Sequence, residues 1–242
     1  MRLLTETHPT VRRRTAVNFF INCSLVGIPK QREAEQRLGV KVPWAILMDP
    51  TAKCNLRCIG CWAGDYELRP ELSLETMDRI CREAGELGIH FFVISGGEPM
   101  AQFDFTLNLA KRLNEGNLNV CLDTTGYAPP EQYLEILPYI NLFLYDIKNM
   151  DSEMHRRLTG VGNELILENA RLLARAGAAL QIRVVVIPKL RDKPDELRRT
   201  AEFCRSLGDA VKLVQLLPYH STGRVKYERL GREYRLKKLE AP

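Results

Sequence analysis

The alternation of strand-forming and helix-forming segments constrains the fold of this chain more than any other feature. From residue 43 onward, apolar runs such as "HFFVIS", "LNVCLDT" and "LQIRVVVI" alternate with amphipathic stretches such as "SLETMDRICREAGELG" and "PDELRRTAEFCRSLG". Strands that are apolar on both faces belong in a parallel sheet that helices cover. Six such units are too few to close an eight-stranded barrel. The pattern therefore predicts an α/β fold with an open, curved sheet, a partial (β/α)6 barrel.

Two regions are predicted along the chain. Residues 1–42 begin with basic sequence and continue as helix-forming segments, which indicates a helical N-terminal extension. Residues 43–242 carry the alternation without an evident linker and form the barrel domain. Within that domain, Ser73 and Gly88 are the residue types that begin and end a helix.

The composition disfavours several kinds of partner. The net charge is +5, from 35 basic and 30 acidic residues, and is too small to predict nucleic-acid binding. The C-terminal stretch "GRVKYERLGREYRLKK" mixes both signs and is predicted to be solvated surface. No segment approaches the roughly 20 apolar residues that cross a bilayer, and the start lacks the apolar core of a signal peptide. We expect a cytoplasmic protein with reduced thiols and no membrane contact.

Three cysteines lie close together in the stretch "KCNLRCIGCW", as Cys54, Cys58 and Cys61. Thiolates at this spacing can hold three irons of a cubane iron–sulfur cluster and leave the fourth iron without a protein ligand. A vacant position is what a catalytic metal site needs. A zinc site remains an alternative, with Cys81 or His220 as the possible fourth ligand. Three cysteines that only fill the core are a poorer interpretation, because the segment has the polarity and glycine of a loop.

Other chemically capable residues fall where the predicted strands end. The carboxyl ends of parallel strands meet at one edge of the sheet, so we expect these side chains to converge there, as in an enzyme. In "SGGEP", the glycines would let the backbone approach a ligand, and Glu98 could receive an ammonium group. Arg183 lies inside the fifth predicted strand, from which an inward-facing side chain could reach the same cavity. The residues expected at the edge itself are Ser95, Gly96, Gly97, Glu98, Asp123, Thr124, Asp146, Lys148 and His220.

The three-cysteine motif after the first strand, with "GGEP" after the second, resembles the radical S-adenosylmethionine (SAM) superfamily. The resemblance covers about residues 43–234. It implies a TIM-like partial (β/α)6 barrel and a [4Fe-4S] cluster whose open iron binds the methionine part of SAM. It also implies that one-electron reduction cleaves SAM to methionine and a 5′-deoxyadenosyl radical.

The second half, about residues 120–240, resembles the activating enzymes of glycyl radical enzymes, of the pyruvate formate-lyase type. The segments that carry this resemblance are "LDTTGY", "LFLYDIKNM", "IRVVVIP" and "LVQLLPYH". It implies that a hydrogen atom is taken from a glycine Cα of a glycyl radical enzyme, the partner protein. A flavodoxin or ferredoxin would donate the electron.

The resemblance also implies roles for individual residues. Asp123, Lys148 and His220 would contact SAM, and Arg183 would lie in the same cavity. Asp123, Thr124 and Asp146 would hold a monovalent cation beside the SAM carboxylate. Plainer roles stay open: an ion pair between Asp146 and Lys148, an interior ion pair for Arg183, and an ordinary loop position for His220.

The first half departs from the activating enzymes and is closer to another radical SAM branch. It has no "DGPGIR"-like stretch, and Gly60 precedes Cys61 where those enzymes usually have an aromatic residue. We therefore hypothesise that Trp62 packs on the adenine of SAM, with an ordinary core or rim position as the alternative. A radical SAM enzyme acting on a small molecule or peptide, or a cluster-binding protein without SAM chemistry, are the alternative functions. The isolated cysteines, namely Cys23, Cys81, Cys121 and Cys204, are expected in the core.

Overall fold

A single six-stranded parallel sheet organises the chain in this computed structural model. The structure describes residues 16–49, 53–61, 72–221, 223–229, 231, 233–234 and 236. The strands are β1 (Ile46–Met48), β2 (Phe91–Ile94), β3 (Asn119–Thr124), β4 (Leu142–Asp146), β5 (Leu180–Val186) and β6 (Val211–Pro218). They lie in sequence order, and each neighbouring pair is parallel. The prediction of a partial (β/α)6 barrel is confirmed.

Helices connect the strands and cover the sheet. The α-helices are α1 (Ile28–Leu38), α2 (Leu74–Glu86), α3 (Phe103–Glu115), α4 (Pro130–Ile136), α5 (Ser152–Thr159), α6 (Glu164–Arg175), α7 (Pro194–Ser206) and α8 (Gly223–Arg229). Ser73 begins α2 as predicted, because its hydroxyl accepts a hydrogen bond from the Thr76 N–H at 3.2 Å. Gly88 follows the end of α2 with a φ of +83°, a left-handed conformation that glycine adopts readily.

The core forms where the helices pack on the sheet. Phe92, Tyr133 and Phe143 are completely buried there, together with most of β3. Three of the four isolated cysteines, namely Cys81, Cys121 and Cys204, are buried in agreement with the prediction. Cys23 is only half-buried, on a π-helical segment, Ala16–Gly27, that precedes α1.

The N-terminal helices lie near the amino ends of the strands. The side-chain amide of Asn22 donates to the carbonyl of Asn117, just before β3, at 3.0 Å. The side-chain amide of Gln31 donates to the carbonyl of Gly88, just before β2, at 2.8 Å. The candidate residues converge at the carboxyl edge of the sheet, which is the opposite end of the strands from these contacts.

The C-terminal segment contributes a small apolar cluster in addition to solvated surface. Tyr219, Tyr227, Tyr234 and Leu236 are buried together, and we call them the tyrosine cluster. The rings of Tyr227 and Tyr234 lie 5.0 Å apart, and the hydroxyls of Tyr219 and Tyr234 are 2.5 Å apart. The prediction of a wholly solvated tail is therefore wrong for its aromatic residues, whose burial the surrounding charges had obscured. Within the described ranges, no helix is long and apolar enough to cross a membrane.

Candidate active site

The cysteine loop, residues 53–61, follows β1 and is fixed by backbone hydrogen bonds to the rest of the barrel. The N–H of Arg57 donates to the Thr159 carbonyl at 2.6 Å, and that of Ile59 donates to the Leu158 carbonyl at 2.8 Å. The side-chain amide of Asn55 donates to the Tyr127 carbonyl at 2.7 Å. These bonds tie the loop to the end of α5 and to the loop after β3, so the three thiols are held at the carboxyl edge of the sheet.

The three thiols of Cys54, Cys58 and Cys61 are half-buried and near enough to influence one another's ionisation. Burial raises the pKa of Cys54, and it raises the pKa of Cys58 to about 11, while the charge of Lys148 acts in the opposite direction at both. Thiolates at such positions need a positive partner, and binding to iron supplies one. The loop therefore fits a cluster held by three cysteines.

The zinc alternative gains no support from the described residues. Cys81, one of the two candidate fourth ligands, is buried in the core on α2. Across the described parts of the chain, no three histidine, cysteine, aspartate or glutamate side chains are grouped as a single metal ion would require. His220, the other candidate, does line the same cavity as Cys58 and Cys61.

The "SGGEP" turn begins where β2 ends. The N–H of Ser95 donates to the Met48 carbonyl at 2.8 Å, which extends the pairing of β1 with β2 by one residue. Gly96 and Gly97 have φ values of +88° and +58°. Side chains other than glycine rarely adopt this left-handed conformation, so the two glycines are needed to turn the backbone at the strand end.

Glu98 follows the two glycines and forms hydrogen bonds within the protein. Its side chain is fully buried, and its carboxylate accepts hydrogen bonds from the Thr124 hydroxyl at 2.7 Å and from the Thr125 N–H and hydroxyl at 2.7 and 2.6 Å. Burial raises the pKa of Glu98, whereas these hydrogen bonds act to lower it. In this geometry the carboxylate is bonded to the two threonines, and its binding of an ammonium group stays a prediction. Glu98 thereby ties the end of β2 to the end of β3.

A four-residue charge cluster connects the ends of β3 and β4 to the middle of β5. The Nε of Arg183 donates to Asp146 at 2.8 Å, and a terminal nitrogen of Arg183 donates to Asp123. Lys148 donates to the other oxygen of Asp146 at 2.9 Å, and the Ser95 hydroxyl donates to Asp123 at 3.1 Å. The four residues Asp123, Asp146, Lys148 and Arg183 carry two charges of each sign, so the cluster is neutral as a unit.

Burial and charge act differently on the two aspartates. Burial and the nearby charge of Asp146 raise the pKa of Asp123, although Arg183 opposes them. At Asp146, the charges of Lys148 and Arg183 outweigh burial and lower the pKa. The proximity of Asp146 in turn raises the pKa of Lys148, against the effect of burial. Lys148 and Asp146 are therefore both ionised at neutral pH.

The three side chains expected to hold a monovalent cation do not point to one position in this structure, and the cation site stays a prediction. Arg183 lies between Asp123 and Asp146 and supplies the positive charge that two neighbouring carboxylates require. Thr124 follows Asp123 along the strand, so its side chain points to the other face, where its hydroxyl donates to Glu98. The ion pairs left open for Lys148 and Arg183 are present.

One cavity, of about 480 Å³, brings several of the expected residues together. Cys58, Cys61, Lys148 and His220 line it, and residues of the tyrosine cluster form part of its wall. Arg191, which was not predicted from the sequence, also lines the cavity and follows the end of β5. Its position in the loop after a predicted strand was the available signal. Cys54, Ser95 and Asp123 are not among the lining residues, and Trp62 lies outside the described residues.

Comparisons with known proteins show the family of this chain. The family model of the radical SAM superfamily matches residues 48–204. The pyruvate formate-lyase-activating enzyme of Staphylococcus aureus (strain USA300) is 36% identical over 205 residues, which cover 79% of this chain and 81% of that protein. The trans-4-hydroxy-L-proline dehydratase activating enzyme of Clostridioides difficile is 35% identical over 181 residues, and the match covers 74% of this chain but only 58% of that protein.

A solved structure shows the same relationship. The crystal structure of a domain of pyruvate-formate lyase-activating enzyme from Bacteroides vulgatus superposes with a TM-score of 0.52 at 31% identity, covering 62% of this chain and 83% of that one. The family implies a [4Fe-4S] cluster and SAM as cofactors, and the cysteine loop fits that cluster. The chain belongs to the radical SAM superfamily, and its relatives there include activating enzymes of glycyl radical enzymes.

Proposed function

We propose that this enzyme removes a hydrogen atom from a glycine Cα of a partner protein and thereby activates a glycyl radical enzyme. One observation carries the proposal: Cys58 and Cys61 share a cavity with Lys148 and His220. The proposal is also supported by the sequence of the chain, which is 36% identical to a pyruvate formate-lyase-activating enzyme over most of both chains. The partner would be a glycyl radical enzyme, and a flavodoxin or ferredoxin would supply the electron.

The cofactors would be held at the cysteine loop. Cys54, Cys58 and Cys61 would bind three irons of a [4Fe-4S] cluster and leave the fourth for SAM. When bound, the reduced cluster supplies one electron for cleavage of SAM to methionine and the 5′-deoxyadenosyl group that accepts the hydrogen atom. Backbone groups of Ser95, Gly96 and Gly97 lie at the neighbouring strand end, where the two glycines let a ligand approach the backbone closely.

The charge cluster would position SAM within the cavity. Lys148 is held by Asp146 at 2.9 Å, and its remaining N–H groups can donate to the SAM carboxylate. His220, which also lines the cavity, follows β6 and can contact the same ligand. In this account, Arg183 supplies the positive charge between Asp123 and Asp146 that was expected of a monovalent cation.

The remaining walls of the cavity would exclude water. Ile59, Ile187 and Leu217 line it, as do Tyr234 and Leu236 of the tyrosine cluster. A water-excluding wall suppresses side reactions of a reactive intermediate before it meets its substrate. The C-terminal segment thus has a proposed part in the chemistry. The N-terminal helices, which belong to the extension proposed for residues 1–42, contact the amino ends of the strands instead.

The experiment that tests this function measures the glycyl radical itself. The anaerobically reconstituted enzyme, reduced with dithionite, would be mixed with SAM and the glycyl radical enzyme encoded nearest to its gene. Electron paramagnetic resonance should show a glycyl radical that requires SAM and is lost in Cys58→Ala. The Cys204→Ala variant, which removes a thiol from the core, is the matched control and should retain it. SAM cleavage without a glycyl radical would instead favour a small-molecule or peptide substrate.

A further inference from the structure

Arg191 is a buried cation that no motif described above explains. It lies between β5 and α7, is 2% exposed, and lines the cavity beside Lys148 and His220. One terminal nitrogen donates to the backbone carbonyl of Ile147, at the end of β4. Its Nε is buried without a hydrogen-bond partner in the described part of the chain. Arg191 therefore has hydrogen-bonding capacity at the cavity wall that its described neighbours do not satisfy.

Its positive charge is also left without a direct counter-ion. The carboxylates that influence Arg191 most belong to Glu196 and Asp146, and each is bonded elsewhere. Glu196 pairs with Arg199 at 3.1 Å, and Asp146 pairs with Lys148 and Arg183. Across the described residues, no acidic side chain forms an ion pair with Arg191.

A buried charge without a partner is unfavourable, so the presence of a buried arginine at position 191 needs an explanation. Burial lowers the pKa of Arg191 to about 10, which still leaves it protonated at neutral pH. An apolar side chain of similar length would fill the space at lower cost, apart from the bond to Ile147. The position is explained if a group of opposite charge enters the cavity.

The lining of the cavity indicates which group this is. No aspartate or glutamate is among its described lining residues, and Asp146 already neutralises Lys148. The planar fork of a guanidinium matches a carboxylate, which can accept two parallel hydrogen bonds. A single unpaired cation in a largely apolar cavity suits one singly charged group better than a phosphate, which carries close to two charges. We propose that Arg191 binds a carboxylate group inside this cavity.

Two molecules can bring that carboxylate. One is SAM, in which case Arg191 shares the methionine carboxylate with Lys148. The other is the partner protein that gives up the hydrogen atom, through an acidic side chain near its glycine, and this source rests on the proposed function. The chemistry at Arg191 is the same in both cases, and a binding experiment separates them without requiring reduction or turnover.

The experiment compares the reconstituted holoenzyme with its Arg191→Met and Arg191→Lys variants. Anaerobic calorimetry would measure binding of SAM and of decarboxylated SAM, and NMR titration would measure binding of ¹³C-acetate to the SAM-saturated enzyme. If SAM is the source, Arg191→Met should weaken SAM at least tenfold and leave decarboxylated SAM within twofold. If the substrate is the source, the affinity for SAM should be unchanged and that for acetate should fall at least tenfold. Arg191→Lys should show a smaller loss in the same assay.

Arg198→Met is the matched control, because Arg198 is an exposed arginine on α7 and should leave all three affinities unchanged. The proposal is overturned if Arg191→Met leaves the affinities for SAM and acetate within twofold of the wild type. It is also overturned if that variant weakens decarboxylated SAM as much as SAM, because a structural disturbance would do so. If Arg191→Met does not fold, the charge-preserving Arg191→Lys variant is the test of the proposal. Unchanged affinities for SAM and acetate in that variant would show that the guanidinium does not bind a carboxylate through two parallel hydrogen bonds, and would overturn the proposal.

Discussion

The Nε atom of Arg183 lies 2.8 Å from the carboxylate of Asp146, its partner in register on the neighbouring strand. A cation in β5 thus neutralises an acid at the end of β4, and the same guanidinium also reaches Asp123 at the end of β3. Three strands are joined through one side chain. This junction fixes Lys148 through Asp146, so the geometry of the cavity depends on it.

Replacing Arg183 by methionine should destabilise the fold and weaken SAM binding. The substitution leaves Asp123 and Asp146 largely buried with only Lys148 to neutralise them, and breaking a buried ion pair from one side costs about 3 kcal/mol. Urea unfolding would measure the loss, and Arg183→Lys should recover part of it. A loss below about 1 kcal/mol, the value typical of surface pairs, would show that the ion pairs of Arg183 contribute no more to stability than exposed ones do.

The same junction predicts a change of stability with pH. Because the folded-state pKa of Asp146 is lowered, its contribution to the free energy of unfolding is present above the unfolded-state pKa of about 3.9 and is lost as the pH falls through the folded value. The difference in stability between the wild type and Asp146→Asn should therefore shrink as the pH falls below about 4. Unfolding curves at several pH values would test this. A difference that grows on acidification would contradict the assigned direction.

Glu98→Gln should lower stability more than it lowers SAM affinity. The amide would place an N–H₂ group against the donors from Thr124 and Thr125, and an unsatisfied buried group costs about 1–3 kcal/mol. Unfolding free energy and SAM affinity would be measured in parallel. If Glu98 instead receives the SAM ammonium, the affinity would fall with little change in stability.

Gly60→Ala should impair assembly of the cluster. Gly60 has a φ of +86°, and a Cβ there would lie 2.8 Å from the side chain of Leu236. Gly39→Ala is the control for the same kind of backbone strain outside the cysteine loop, because Gly39 has a φ of +67° and open space around it. The added Leu236→Ala substitution separates the clash from the strain at Gly60 itself. Iron content after reconstitution should fall in the Gly60 variant and recover partly when Leu236→Ala is added. Equal iron content in the Gly60 and Gly39 variants would exclude the clash.

The unliganded Cys58 thiol should react slowly. Burial raises its pKa from 9.0 to about 11, so near neutral pH its thiolate fraction is about a hundredth of that of an ordinary thiol. Peptide mass spectrometry of cluster-free protein would follow alkylation by iodoacetamide between pH 7 and 10, with the urea-unfolded protein as control. The rate in the folded protein should keep rising across this range. A plateau near pH 9 would contradict the raised pKa.

The sequence predicted the parts of this structure that follow from periodicity and local chemistry. The strand–helix alternation, the beginning of α2 at Ser73 and the cysteine loop are of this kind. What the sequence did not show depends on the direction of individual side chains. Whether Glu98 faces a ligand or Thr125 is decided by tertiary packing, which the "GGEP" motif alone does not reveal.

Contacts between distant segments were the other source of error. An interior ion pair was left open for Arg183, but its position between two aspartates follows from strand register. The burial of Tyr219 and Tyr234 requires the C-terminal segment to fold back over the cysteine loop, where Leu236 packs near Gly60. A mixed-charge sequence gives no local signal of such a contact.

The measurement that tests the central claim most directly is release of 5′-deoxyadenosine by the anaerobically reconstituted, dithionite-reduced protein in the presence of SAM. The account predicts release in the wild type and in Cys204→Ala, and loss of it in Cys58→Ala at comparable protein folding. Release that persists in Cys58→Ala, or no release from wild-type protein that holds its cluster and binds SAM, would contradict the assignment of radical chemistry to this cavity.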